Sequence, residues 1–164
     1  MTILTGHSFE FISHSAEQTR RLGMRMGSLL KPGMLVCLQG DLGAGKTTFV
    51  QGVAAGWGST DQVSSPTFQL VNEYRRIDPV RLYHLDTYRL NNILEAEELD
   101  VDGMLANGPT LVEWPELMSD IFPDDRLWIT INYIDETKRS LAFSSTGKAS
   151  EALLLEFRDR IKGN

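Results

Sequence analysis

The sequence has little of what would suit a secreted or membrane-bound protein. It contains one cysteine, Cys37, in 164 residues, so an intramolecular disulfide is excluded and a buried, reduced thiol is expected. No apolar run approaches the ~18 residues that a membrane-spanning helix needs. The N-terminus also lacks the charged and apolar regions of a signal peptide. We therefore expect a cytoplasmic protein that makes no contact with a membrane.

Positive charge is also scarce. Lys and Arg number 16 against 22 Asp and Glu, which leaves a net charge of −6. A general nucleic-acid binder needs a basic face, so we expect no direct binding to DNA and contact with RNA only through a partner. The hydrophobic content of 41% is ordinary for a globular protein, and the length suits one domain over residues 1–164.

The strongest motif occupies residues 40–47, which read GDLGAGKT and satisfy G-x-x-x-x-G-K-[ST] at every fixed position. An apolar stretch at 34–38 fits a buried strand before it, and residues 48–55 predict a helix after it. Strand, glycine-rich loop and helix in this order predict a phosphate-binding loop, or P-loop. The predicted nucleotide-binding residues are Asp41, Leu42, Gly43, Ala44, Gly45, Lys46, Thr47 and Thr48.

The chemistry of phosphate binding explains this spacing. Glycines let the backbone wrap closely around a phosphate with its amide hydrogens pointing inward, and the helix directs its positive end at the same charge. Lys46 is then predicted to reach the outer phosphates, and the Thr47 hydroxyl to ligate Mg²⁺.

Two acids follow short apolar strands and can complete such a site. Asp86 ends the predicted strand at 80–85, and Glu113 ends the one at 110–112. One carboxylate is expected to ligate the metal while the other orients the attacking water, and the sequence does not divide these roles. His84 is predicted to share a strand face with Asp86, where a histidine is more often structural than catalytic.

The remaining pattern predicts an α/β protein: a P-loop NTPase-like three-layer sandwich with a mixed central sheet and antiparallel strands at its margins. Ser15 is predicted to cap a first helix that ends at Pro32-Gly33, with Gln18 completing a capping box. Other predicted helices cover 93–105 and 148–161. The predicted strands cover 9–12, 68–75, 80–85, 127–134 and 141–144.

Residues 63–68, which contain Ser64, Ser65 and Thr67, follow the P-loop helix. Nucleotide-dependent proteins often place a switch loop there, and a hydroxyl in it can sense the terminal phosphate or its metal. An ordinary Ser/Pro turn entering a strand fits the spacing equally well.

Several motifs together resemble those of the TsaE family, formerly YjeE. They are GDLGAGKTT at 40–48, SPTF at 65–68, VNEY at 71–74, HLDTYR at 84–89 and VEWPE at 112–116. The P-loop is common to many families, whereas the other four motifs are much more specific. The resemblance covers roughly residues 9–135.

This resemblance implies an ATP-binding, Mg²⁺-dependent ATP hydrolase that acts with TsaD and TsaB in threonylcarbamoyladenosine modification of tRNA, without performing the transfer itself. It implies that Lys46 and the loop amides hold phosphates and that Thr47 binds Mg²⁺. It also matches Asp86 to an essential aspartate and Glu113, beside Trp114, to a metal-associated glutamate. Thr67 falls in the switch-like segment, and adenine contacts are expected near residues 14–16.

Three alternatives remain from the residues alone. A GTPase-like switch needs Asn-Lys-x-Asp after a strand, and residues 132–135 read NYID, without the lysine. A small-molecule kinase needs a basic lid, for which Arg75, Arg76, Arg81 and Arg89 are weak candidates. A non-catalytic assembly subunit would differ only in whether turnover of the nucleotide matters.

Overall fold

The computed structural model describes residues 8–41, 43–63, 71–86, 99–113 and 119–162. These residues form seven strands, four α-helices and a short 3₁₀ turn at Ser119–Ile121. The strands are β1 (Ser8–Ser13), β2 (Leu35–Gln39), β3 (Val71–Arg75), β4 (Arg81–Asp86), β5 (Thr110–Glu113), β6 (Leu127–Tyr133) and β7 (Arg139–Ser145). The helices are α1 (Ala16–Gly27), α2 (Lys46–Trp57), α3 (Val101–Asn107) and α4 (Lys148–Lys162).

The strands form one mixed sheet in the order β1-β7-β6-β2-β5-β4-β3. Its four central strands, β6, β2, β5 and β4, are parallel. β7 and β1 are added antiparallel at one margin, and β3 at the other. This confirms the predicted α/β architecture. It also brings the carboxyl ends of β2, β4 and β5 to the same edge of the sheet, where ligands bind in open α/β sheets.

Helices cover both faces of the sheet, and the alternation of side chains along β2 shows why. Val36 and Leu38 pack into a core formed with α1, α2 and α4, whereas Leu35 and Cys37 face the core formed with α3. A central parallel strand that is buried on both faces is apolar throughout. Burial raises the pKa of the Cys37 thiol to about 12, so the expectation of an inert, buried cysteine is confirmed.

Glycines bring α1 and α2 into backbone contact. A Cβ on Gly27 would lie under 3.0 Å from the Val53 carbonyl oxygen, and one on Gly56 equally close to the Met24 carbonyl oxygen. One helical turn earlier, Gly23 and Gly52 each lie equally close to a backbone carbonyl oxygen of the opposite helix. These four positions let the helix that follows the P-loop sit directly against α1, which fixes where that loop is presented.

The start of α1 follows the prediction, but its end does not. Ser15 Oγ accepts a hydrogen bond from the Gln18 amide at 3.0 Å, and Gln18 Oε1 accepts one from the His14 amide at 2.7 Å. The helix ends at Gly27 rather than at Pro32-Gly33. Leu29 and Leu30 are buried, and they pack into the core from the turn after the helix.

Within the described residues, the predicted helix at 93–105 is confirmed from Val101 onward. Asp100 is an N-cap whose carboxylate accepts a hydrogen bond from the Gly103 amide at 3.0 Å, and α3 runs from Val101 to Asn107. An aspartate at this position satisfies an amide of the first turn, which stabilises the start of α3. Residues 93–98 and 68–70 lie outside the described residues. None of the described helices is long and apolar enough to cross a membrane.

Candidate functional site

The loop between β2 and α2 is shaped by three glycines with positive φ. Gly40, Gly43 and Gly45 have φ of 152°, 82° and 108°, a region that other residues rarely adopt. A Cβ on Gly40 would also lie under 3.0 Å from the Ile131 carbonyl oxygen of β6. Both the backbone conformation and the lack of space therefore require glycine at this position. The loop thus follows a path that only a glycine-rich sequence can take, as the motif predicts.

Lys46 is the first residue of α2 and closes this loop. Its ammonium group donates a hydrogen bond to the Gly40 carbonyl oxygen at 2.6 Å, and the residue is only 7% exposed. Within the loop, the Ala44 amide donates to the Asp41 carbonyl oxygen at 3.0 Å. A cation therefore lies inside a curl of backbone whose glycines permit close approach, an arrangement suited to a bound anion.

The start of α2 adds the helix contribution. Gly45 is the N-cap and has no side chain that could satisfy the first amides of the helix. The first hydrogen bond of the helix runs from the Phe49 amide to the Gly45 carbonyl oxygen at 3.0 Å. The first amides of an α-helix precede its first i−4 acceptor, so those at the start of α2 point out of its N-terminal end. These donors and the helix dipole create a site for negative charge.

The two predicted acids lie side by side. Asp86 is the last residue of β4 and Glu113 the last of β5, and they are register partners across this parallel pair. Glu113 is in turn the register partner of Leu38, near the end of β2, from which the P-loop departs. Both acids are buried. The structure thus places both carboxylates at the ends of neighbouring strands, beside the strand from which the P-loop departs.

Glu113 is held by a histidine. Its Oε2 lies 2.8 Å from His84 Nε2, and His84 Nδ1 lies 3.0 Å from the Tyr74 hydroxyl. His84 was expected on the same strand face as Asp86. It does lie two residues before Asp86 on β4, but its ring hydrogen-bonds to Glu113 on the next strand.

With this geometry in view, comparisons identify the family. The family model described as "Threonylcarbamoyl adenosine biosynthesis protein TsaE" matches residues 13–141. The chain belongs to the TsaE family. The sequence-based recognition is therefore confirmed over a stretch that contains the P-loop, both acids and His84.

Individual TsaE proteins and a solved structure agree with this assignment. The tRNA threonylcarbamoyladenosine biosynthesis protein TsaE of Bacillus subtilis is 39% identical over 141 residues, covering 85% of this chain and 87% of the relative. That of Synechocystis is 45% identical over 115 residues, covering 67% and 72%. The crystal structure of Bacillus subtilis YdiB superposes with a TM-score of 0.80 at 32% identity, covering 98% of this chain and 97% of that one.

Arg139 is a residue of this TsaE site that sequence reasoning missed. It begins β7, and its Nε donates a hydrogen bond to the Ala44 carbonyl oxygen of the P-loop at 3.0 Å. One terminal nitrogen of the guanidinium donates to the carbonyl oxygens of Asp135 and Lys138 at 2.5 and 2.9 Å. The guanidinium also lies 4.7 Å from the ring centroid of Tyr133. No local motif marks such a residue, because its partner is far away in sequence.

The turn that carries Arg139 is itself held by an aspartate. Asp135 Oδ1 accepts hydrogen bonds from the amides of Thr137 and Lys138 at 2.9 and 2.8 Å. These backbone hydrogen bonds, Thr137 first, lower the pKa of the Asp135 carboxyl below its usual value. The carboxylate of the near-miss guanine motif therefore stabilises its own turn.

A shallow cavity opens beside the P-loop. Gly45 and Thr48 line it from the start of α2, Ala16 and Thr19 from α1, and Arg139 from β7. It lies against the first turn of α1, and the expectation of adenine contacts near residues 14–16 stays a prediction.

The donor set fits the metal that the TsaE resemblance implies. No cluster of three or more His, Cys, Asp or Glu side chains occurs within residues 8–41, 43–63, 71–86, 99–113 and 119–162. Mg²⁺ at a P-loop does not need such a cluster, since phosphate and water oxygens complete its shell. Thr47, at the start of α2, would supply a hydroxyl to such an ion, and Asp86 and Glu113 would supply hard carboxylate oxygens.

Some predicted site residues cannot be placed. Leu42 of the P-loop, the segment 64–68 with Thr67, and Trp114 lie outside the described residues. So do Arg89 and the acidic run at 95–98. The described residues carry the loop glycines, Lys46, Thr47, Thr48 and both acids.

Proposed function

We propose that this chain binds ATP with Mg²⁺ and hydrolyses it, as the ATP-consuming subunit of threonylcarbamoyladenosine modification of tRNA. The observation that carries this proposal is the position of Lys46. It lies in a glycine-built loop at the start of α2, and the Asp86–Glu113 pair ends the strands beside β2. Phosphate donors and metal-binding acids at one edge are the parts that a phosphoryl-transfer site requires. The family assignment supports the pathway, and its relatives carry that role in their names.

Each part has a distinct task in this proposal. The loop amides and Lys46 hold the phosphates through charge-assisted hydrogen bonds, and the Thr47 hydroxyl holds the metal. When bound, Mg²⁺ neutralises the charge on the β- and γ-phosphates. Of Asp86 and Glu113, one ligates the metal, directly or through water, while the other orients the attacking water. Lys46, Asp86 and Glu113 are thus the proposed catalytic residues.

We infer adenine rather than guanine as the base. A GTPase-like switch needs Asn-Lys-x-Asp after a strand, and residues 132–135 read NYID. Asp135 Oδ1 accepts hydrogen bonds from the Thr137 and Lys138 amides of its own turn, which supports a structural task for this carboxylate. In our proposal the base and ribose lie against the surface beside the small cavity that Ala16 of α1 and Arg139 of β7 line.

We further propose that hydrolysis depends on a partner. Among the described arginines, Arg139 is hydrogen-bonded to the P-loop, but its guanidinium is held by the carbonyl oxygens of Ala44, Asp135 and Lys138. It is therefore poorly placed to neutralise charge that develops on a γ-phosphoryl group. A cation supplied by a partner is a common solution to this problem. The partners we propose are TsaD and TsaB, acting on the nucleotide face.

The net charge of −6 disfavours direct binding to the phosphate backbone of nucleic acids. We therefore propose that the chain contacts tRNA only indirectly, through that complex, and does not bind DNA. A buried thiol without a disulfide partner is consistent with the cytoplasm, where tRNA is modified.

Calorimetry with ATP, ADP and GTP, each with Mg²⁺, tests the nucleotide assignment. We expect ATP and ADP to bind and GTP to bind more weakly. A clear preference for GTP would support the GTPase-like alternative instead. A parallel pull-down from extract, with and without ATP, should recover TsaD and TsaB. Recovery of neither protein in either condition would contradict the proposed complex.

A further inference from the structure

Three buried side chains from three neighbouring strands form one hydrogen-bonded chain that ends at the site. Tyr74 lies on β3, His84 on β4 and Glu113 on β5. The Tyr74 hydroxyl is 3.0 Å from His84 Nδ1, and His84 Nε2 is 2.8 Å from Glu113 Oε2. The three residues are 3%, 1% and 3% exposed. The three hydrogen-bonded side chains are thus all buried away from water.

The sheet register explains how these residues meet. His84 is the register partner of Leu111, and Glu113 lies two residues further along β5 on the same face. On the other side, Tyr74 is the register partner of Leu82, two residues before His84. Tyr74 and Leu111 belong to the core that α2 covers. The three hydrogen-bonded side chains therefore lie on the face of the sheet against which the helix after the P-loop packs.

The donors and acceptors in this chain run in one direction. A carboxylate only accepts hydrogen bonds, so the proton at this contact belongs to His84 Nε2. In a neutral imidazole the other nitrogen, Nδ1, is then an acceptor, and the Tyr74 hydroxyl can donate to it. The carboxylate of Glu113 thus sets the tautomer of His84, and Tyr74 holds the far side of the ring.

We propose that His84 is a positioning residue for Glu113, with Tyr74 holding the His84 ring in place. One oxygen of the carboxylate is held by a ring that is itself held at its far side, so the carboxylate is fixed in orientation. Residues that orient metal ligands in this way usually affect activity strongly although they touch neither metal nor substrate. This inference rests on the proposed ATP hydrolysis at the same site.

Two substitutions of His84 separate positioning from packing. In His84→Gln the amide nitrogen can take the place of Nε2 and still donate to Glu113. In His84→Asn it can take the place of Nδ1 only, which leaves Glu113 without this donor. Turnover of ATP by each variant is measured in the complex with TsaD and TsaB, together with the KM for ATP and the melting temperature.

We expect His84→Asn to lower kcat about 10- to 100-fold with little change in KM, because the loops that bind ATP are untouched. We expect His84→Gln to restore most of that loss. Equal kcat for the two variants would overturn the inference, and so would near-wild-type kcat for His84→Asn. Absence of turnover by the wild-type complex would instead reject the proposed function, and the positioning role with it.

A milder pair covers the case in which neither His84 variant folds. Tyr74→Phe removes only the hydroxyl that hydrogen-bonds to His84 Nδ1. Tyr83→Phe is its matched control, because Tyr83 is also buried in the sheet but packs into the core on the α3 face. We expect kcat to fall several-fold for Tyr74→Phe and to stay at the wild-type value for Tyr83→Phe. Equal kcat for the two variants would overturn the inference.

Discussion

Arg139 Nε donates a hydrogen bond to the Ala44 carbonyl oxygen, 3.0 Å away, and so joins the β6–β7 turn to the P-loop. The same guanidinium donates to the carbonyl oxygens of Asp135 and Lys138 within its own turn. A planar group with several fixed donors can connect three backbone carbonyls in this way. The loop is therefore supported from outside, by a strand at the opposite end of the sequence.

The first prediction concerns this support. Arg139→Ala should weaken binding of ATP with Mg²⁺ about tenfold, since a hydrogen bond from a charged group that orders the loop is lost. Arg139→Lys should recover little, because an ammonium group cannot reproduce the fork of donors. Calorimetry measures both affinities. Arg160→Ala is the control, because Arg160 is exposed and its guanidinium contacts Glu156 and the Ser28 hydroxyl on the surface, away from the P-loop. Wild-type affinity in Arg139→Ala would contradict a supporting role.

The second prediction concerns Lys46. Lys46→Ala should weaken binding of ATP about 10- to 100-fold, because a largely buried, charge-assisted contact to phosphate is removed. Lys31→Ala removes the same charge from an exposed position outside the P-loop and should leave the affinity unchanged. Calorimetry on both variants decides the point. Equal affinities for ATP would mean that the P-loop is not the nucleotide site.

The third prediction concerns the two acids. Asp86→Asn and Glu113→Gln should each lower turnover of ATP by the complex about 100-fold or more, since both keep the shape of the side chain and remove the charge. Glu156→Gln, an exposed position on α4, is the control for loss of one negative charge. Melting curves should show that the variants stay folded. If both variants hydrolyse ATP normally, neither acid takes part in hydrolysis. If only one variant loses activity, the two acids do not both contribute to catalysis as proposed.

The parts of this site that the sequence predicted are those whose causes are local. The P-loop is a contiguous motif, and Asp86 and Glu113 each follow a short apolar strand. The ends of these strands could therefore be located in the sequence and assigned to one edge of the sheet. The missed contacts join distant positions: Arg139 and Ala44 are 95 residues apart, and His84 and Glu113 are 29 apart. Such pairs depend on strand order and register, which periodicity does not give.

The errors in helix boundaries have a related cause. Helical spacing continues through Leu29 and Leu30, but these side chains reach the core from a turn after Gly27. Burial thus preserved the periodic pattern where the helix had ended. The other helix boundary differs in the opposite direction, since the helix predicted to end at residue 105 continues to Asn107.

The fourth prediction concerns the close contact of α1 and α2. Gly56→Ala should lower the free energy of unfolding by about 3 kcal/mol, because the added methyl group would meet the Met24 carbonyl oxygen. Helix propensity alone predicts the opposite sign, since alanine is favoured over glycine by about 1 kcal/mol. Ala55→Gly, at an exposed position of the same helix, measures that propensity effect directly. Urea denaturation of both variants gives the values. A stabilised Gly56→Ala would show that the two helices are not held by backbone contact.

The rate of ATP hydrolysis by the purified chain, alone and then with TsaD and TsaB, tests the central claim most directly. We predict slow turnover by the chain alone, because the described arginine at the P-loop is committed to backbone carbonyls. With both partners the rate should rise, by as much as ~10³-fold if a partner supplies the missing cation. Fast turnover by the chain alone, unchanged when TsaD and TsaB are added, would contradict this and indicate a self-sufficient enzyme such as a kinase.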